Sequence, residues 1–206
     1  YNTAVGYSAL STEDGHGYNT AIGASALKTL NAGSEAYNVA VGYDAGYAMT
    51  TGSLNALIGG AAGDALTTGS SNVAMGYGAL STEDTASRTV AIGTNALEAQ
   101  NSDLTNTYNV AVGYNAGLSV TTGVNNTLIG GRAGDALTTG GSNTALGYNA
   151  LSAEDTGTKN VAVGTYALEA LNYDGEGHNV GVGYYAGVAM TTGVRNILIG
   201  SLAGDA

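Results

Sequence analysis

Asn2-Thr3-Ala4-Val5-Gly6-Tyr7-Ser8-Ala9-Leu10 opens the chain, and variants of this stretch recur until twelve copies fill the 206 residues. The copies begin at Asn2, Asn19, Asn38, Asn55, Asn72, Thr89, Asn109, Asn126, Asn143, Asn160, Asn179 and Asn196, in steps of 17 to 20 residues. In every copy a Gly follows four residues after the start and an Ala seven residues after it, from Gly6 and Ala9 to Gly200 and Ala203. A fixed period of this kind is the mark of a repeat architecture, in which each copy is one unit stacked on the next.

The segment before each Gly is short and β-branched, as in Thr3-Ala4-Val5 and Val110-Ala111-Val112. That composition predicts a strand of about three to five residues, and its apolar and small neighbours predict that both faces are covered. The fixed Gly suits a corner that needs positive φ or close approach of backbone. The Asn column reads as an inward ladder, each amide bonded to those above and below, at roughly 1 kcal/mol per bond. A turn-starting Asn is the alternative, but turns accept Asp, Ser and Gly, whereas here only Thr89 departs from Asn. The expected fold is all-β, a parallel β-solenoid (β-roll) of about twelve rungs of 17–20 residues, forming a single elongated repeat domain over 1–206.

Four rungs make a larger unit, giving units 1–70, 71–141 and 142–206. First and second rungs carry Leu after the fixed Ala (Leu10, Leu27, Leu80, Leu97, Leu151, Leu168), where third and fourth carry Gly (Gly46, Gly63, Gly117, Gly134, Gly187, Gly204). Where Leu is missing, an apolar residue follows three positions later: Met49, Leu66, Val120, Leu137, Met190. Core volume is therefore moved, as close packing requires. After the fixed Gly, large and small residues alternate, with Tyr7, Tyr43, Tyr77, Tyr114, Tyr148 and Tyr184 on every other rung. This tyrosine stripe reads first as a packing device and second as a surface on which sugars could stack. Second rungs have the longer loops, 30–36, 99–107 and 170–177, with short helical turns expected at Ala26 to Leu30 and its echoes. Such variable loops are the expected place for specific recognition.

Composition bounds the chemistry. Sixteen acidic residues against five basic give a net charge of −11, and the basic ones are scattered. Nucleic acid and anionic membranes are repelled by such a surface, and no apolar run is long enough to span a bilayer. With no Cys there is neither a disulfide nor a thiolate metal site. The glycines of Ile58 to Asp64 lack the Lys-Ser/Thr ending of a phosphate loop. Ser11-Thr12-Glu13-Asp14 and its echoes at 81–84 and 152–155 read as exposed acidic turns, able to hold calcium only incidentally. His16 and His178 read as surface loop residues without a matching pair, and no catalytic constellation is expected; the chain is read as no enzyme, without cofactor. Thr-Thr-Gly occurs on third and fourth rungs only, too sparsely for an ice-binding array, and the sequon at Asn125 overlaps a rung start and is discounted.

The pattern Asn-Thr-Ala-Val-Gly-Tyr-x-Ala-Leu, seen at 2–10 and, as Asn-Thr-Ala-Leu-Gly-Tyr-Asn-Ala-Leu, at 143–151, resembles the repeats of bacteriophage tail-fibre proteins. It is also similar to the head repeats of YadA-type trimeric autotransporter adhesins, whose rungs are shorter. The resemblance implies a parallel β-roll with three chains side by side, in an extracellular or virion-surface fibre. A structural shaft is the expected role, with a glycan- or receptor-binding module as the alternative. Both terminal rungs read as uncapped interior copies, so a homotrimer or end-to-end filament and a longer fibre are expected.

Overall fold

The structure, a computed structural model, describes residues 1–205. The chain divides into two compact units, Tyr1–Thr107 and Tyr108–Ala206. The first holds β1 (Thr3–Val5), β2 (Thr20–Ile22), β3 (Val39–Val41), β4 (Ala56–Ile58), β5 (Val73–Met75) and β6 (Val90–Ile92). The second holds β7 (Val110–Val112), β8 (Thr127–Ile129), β9 (Thr144–Leu146), β10 (Val161–Val163), β11 (Val180–Val182) and β12 (Ile197–Ile199). Within each unit every strand pairs in parallel with the next and in register with the repeat, Thr3 with Thr20 and Val161 with Val180. Each unit is thus a parallel β-solenoid of six turns.

Strands of three residues cannot stand alone, and the turns between them share the work. The Leu27 N–H donates to the Ala45 carbonyl (3.0 Å), Ser25 N–H to Tyr7 (2.8 Å) and Thr50 N–H to Thr67 (2.9 Å). Backbone groups that a single turn would leave unpaired are satisfied by the turn stacked against it. The Thr-Thr-Gly loops add to this ladder, since Thr67 Oγ1 donates to the Asp84 carbonyl (3.0 Å) and Thr138 Oγ1 to Asp155 (3.1 Å).

The core is one side chain thick. The middle residue of each strand points inward: Ala21, Ala40, Leu57, Ala74, Ala91, Ala111, Leu128, Ala145 and Ala162 are fully buried, beside the fixed alanines. The flanking strand residues point outward and remain half-buried or exposed, Ile22 at 40% and Leu146 at 45%. The expectation that both strand faces are covered therefore fails within the chain: triplet strands alternate like any others.

Helical turns at Ala26 to Leu30 and its echoes do not form, and no described residue is helical. Leu27, Leu97 and Leu168 have φ of 48°, 50° and 50°, so the chain turns left-handed where a helix would need the opposite sign. This conformation costs a Leu about 1–2 kcal/mol, which burial of the same side chain, worth about 1.5–3 kcal/mol, offsets. On third and fourth rungs Gly occupies the position because no space remains. A Cβ on Gly63 would lie 2.8 Å from Leu66 Cδ1 and 3.0 Å from Leu57 Cδ2; one on Gly134 would lie 2.8 Å from both Leu128 and Leu137. Leucine is thus moved to the strand centre of the fourth rung, at Leu57 and Leu128, as well as to the later loop position.

The fixed glycine has a different cause. Gly130 has φ 134°, and a Cβ there would land on the carbonyl of Gly147 in the adjacent turn. Changing Gly130 to Val should destabilise by more than the 1–3 kcal/mol that strained backbone alone costs, because the stacked carbonyl must also move. Denaturant unfolding measures this, and an unchanged midpoint would contradict the close approach.

Candidate functional site

The Asn column is the most regular side-chain feature of both units. Asn19, Asn38, Asn55, Asn72, Asn109, Asn126, Asn143, Asn160 and Asn179 are buried, Asn196 is half-buried and Asn2 is exposed. The bonding differs from a simple amide stack. Each Oδ1 accepts the backbone N–H of the next rung's first residue: Asn38 Oδ1 from Asn55 (3.0 Å), Asn55 Oδ1 from Asn72 (2.9 Å), Asn126 Oδ1 from Asn143 (3.0 Å). Most Nδ2 groups donate to a carbonyl fourteen residues on, which closes the same rung: Asn38 to Gly52 (2.8 Å), Asn109 to Gly123 (2.7 Å), Asn126 to Gly140 (2.9 Å). Amide-to-amide bonds occur as additions, as from Asn55 to Asn38 at 3.2 Å. The longer second-rung loops shift that carbonyl, and Asn160 Nδ2 has no partner.

Thr89 replaces Asn where the loop is longest. Its N–H still donates to Asn72 Oδ1 (3.0 Å), while its hydroxyl meets the Thr107 hydroxyl (2.6 Å) and accepts from Gln100 Nε2 (3.3 Å). Gln100, Ser102 and Thr107 are fully buried, so part of the 99–107 loop is interior scaffolding. Asn101, Asp103, Leu104 and Thr105 are its outward residues.

The acidic turns need correction. Glu83 and Glu154 are fully buried and the Glu13 side chain is 1% exposed. Each closes its loop by accepting backbone N–H groups: Glu83 Oε1 from Ala86 (2.8 Å) and Glu154 Oε1 from Gly157 (2.8 Å). Gln100 Nε2 also donates to Glu83 Oε2 (3.1 Å). Burial pushes the Glu154 carboxyl above its ordinary range, although the Gly157 and Tyr173 N–H groups work against the rise. Burial likewise raises Asp64 and Asp135.

Tyr7, Tyr43, Tyr77, Tyr114, Tyr148 and Tyr184 all lie at the surface, between 47% and 83% exposed. Their small partners explain the alternation: a Cβ at Gly60 would touch Tyr77 at 3.5 Å and one at Gly131 would touch Tyr148 at 3.4 Å. A second aromatic row, unread in the sequence, lies just before the Asn column. There Tyr18 stacks on Tyr37 with ring centres 4.8 Å apart, and Tyr1 tilts against Tyr18 at 5.4 Å. Tyr166 and Tyr185 stack at 4.8 Å, and the ring of Tyr148 meets Tyr166 edge-on. His178 sits beside Glu176 (3.1 Å), which also pairs with Lys159, and His16 sits beside Glu13 and Asp14.

The outward strand positions form the other extended surface. Of the 24 positions flanking the strand centres, four are Thr (Thr3, Thr20, Thr127, Thr144) and all others are apolar; none is charged. No concave pocket accompanies these surfaces among the described residues. No protein-family model, curated protein or solved structure matches the chain. The class defined by its own geometry is the parallel β-solenoid repeat protein.

Two predictions follow from the buried polar groups. Asn126→Ala strands the Asn143 N–H and the Gly140 carbonyl and should cost about 2–6 kcal/mol, at 1–3 kcal/mol for each buried group left unpaired, measured by denaturant unfolding. For Glu154, a folded pKa above the unfolded value means that protonation favours the folded state. Its contribution is fully present below the ordinary Glu value and is lost as pH rises through the raised one. Melting scans from pH 4 to 8 should therefore show a shallower decline with pH in Glu154→Gln than in the parent protein.

Proposed function

We propose that the chain is a segment of the structural shaft of an extracellular or virion-surface fibre, of the tail-fibre or surface-adhesin kind, packed laterally against copies of itself. The observation that carries this reading is the uncharged outward face of the strands, in a chain with 21 charged side chains, 16 acidic and 5 basic. A sheet face left to water alternates with polar residues, and extended exposed apolar surface marks an interaction site. A second copy fits this surface, because self-association interfaces are the more apolar class and the acidic residues lie in the turns. In-register stacking gives stiffness, and the role is mechanical, without catalysis. The exposed tyrosines favour a second reading, glycan binding on the rings and outward loop residues.

Light scattering tests the first reading. The 20.2 kDa chain should run as an oligomer, three chains being the expected number. Val112→Glu with Val163→Glu should dissociate it by at least a hundredfold in equilibrium constant, since each buried Val contributes about 1.5–3 kcal/mol. A parent chain that stays monomeric at high micromolar concentration would overturn the reading, and glycan-array binding lost on replacing Tyr114 and Tyr148 would favour the second.

A further inference from the structure

The loop that closes the first rung gathers three metal-ligand side chains. Glu13, Asp14 and His16 each bring a ligand atom within 4.8 Å of the others. His16 Nδ1 stands 3.5 Å from Asp14 Oδ1 and 3.7 Å from Glu13 Oε1. Around a zinc ion with bonds of about 2.0–2.2 Å, tetrahedral ligands lie about 3.3–3.6 Å apart. The three atoms therefore need little rearrangement to share one ion. The loop is also held in place: the His16 N–H donates to Glu13 Oε1 (3.0 Å), and its carbonyl accepts from Asn2 Nδ2 (2.6 Å).

A second observation separates this loop from an ordinary acidic turn. The Glu13 side chain is 1% exposed, yet its Oε2 has no hydrogen-bond partner, and neither has His16 Nδ1. A buried carboxylate oxygen without a donor is costly. The two echoes of the loop show that the fold does not impose this. Glu83 Oε2 accepts from Gln100 Nε2 (3.1 Å) and the Ser102 N–H (3.2 Å), and Glu154 Oε2 accepts from the Tyr173 N–H (3.3 Å). Those loops carry Ala86 and Gly157 where the first carries His16. The copy with the imidazole is the copy whose glutamate is left open.

We propose that Glu13, Asp14 and His16 bind one divalent transition-metal ion of the zinc class. The imidazole nitrogen selects such an ion over calcium, which takes oxygen ligands. Three protein ligands leave a further position to water, and the ion fastens the first-rung loop where the other two loops use hydrogen bonds.

Calorimetric titration of zinc into the full chain at pH 7.5 tests this, with calcium titrated in parallel and melting recorded with and without zinc. His16→Ala copies the second loop and keeps the backbone bond to Glu13, so the fold is retained. Glu13→Gln removes a ligand, and His178→Ala controls for the other histidine. The expected result is one equivalent of zinc, weakened at least tenfold in His16→Ala and Glu13→Gln and unchanged in His178→Ala, with a zinc-dependent rise in melting temperature that follows the same order. No binding by the parent chain, equal binding by His16→Ala, or tighter binding of calcium than of zinc would overturn the proposal.

Discussion

A buried primary amide offers an acceptor and a donor at once, and the rungs depend on both. The residue before each Asn turns left-handed, with φ of 66° at Tyr18, 60° at Leu54 and 62° at Lys159. At that corner the backbone ladder loses its regular acceptor, and the Asn oxygen of the preceding rung receives the N–H instead. The amide nitrogen meanwhile ties the start of most rungs to the carbonyl that ends them. Asp lacks the donor, and Ser and Thr lack the reach and the second group. Thr89 stands in the column only because Gln100 and Thr107 supply the missing polar partners.

A cross-section pinned at one corner must be filled to constant volume. Leucine enters it from the left-handed corner on first and second rungs and from the strand centre and later loop on the fourth, while Met49, Val120 and Met190 stand at the later position on third rungs. Gly46 shows the exchange within a single turn: a Cβ there would lie 2.8 Å from Leu27 on one neighbouring rung and 2.8 Å from Leu57 on the other. The four-rung period is therefore a packing period. The buried glutamates belong to the same economy of space, filling the first-rung loop with a carboxylate that accepts backbone N–H groups.

Columns of side chains were legible in the sequence, and backbone partners were not. The period, the strand triplets and the place of the fixed Gly could be read because each repeats with one residue type. Asn could be placed as a buried ladder element, but its bonds go chiefly to backbone atoms, which carry no sequence signature. Ser-Thr-Glu-Asp looks like a solvated turn, and recurrence did not set Glu13, Glu83 and Glu154 apart, because Asp14, Asp84 and Asp155 recur beside them. Gln100 beside the lone Thr89 was the available signal for the interior of the longest loop. Helical turns were misread because Ala-Leu-Lys-Thr-Leu has helical composition, while the inter-rung bonds of its backbone demand a left-handed Leu27.

The same repetition that builds the rungs poses a register problem for lateral packing. An uncharged face of Val and Ile looks nearly identical after a slip of one rung, so the strands by themselves do not fix the register of lateral packing. Features of longer period remove the degeneracy in the proposed assembly. A one-rung slip from like-on-like alignment sets each tyrosine against a small residue, because large and small residues alternate from Tyr7 onward. A two-rung slip keeps the tyrosines in phase but sets long second-rung loops against the shorter loops of fourth rungs. A four-rung slip restores both, and only the unequal second-rung steps of 19, 20 and 19 residues then distinguish the positions. Adhesion between such faces comes from the short period and alignment from the long ones, so register in the proposed fibre rests on the loops rather than on the strands.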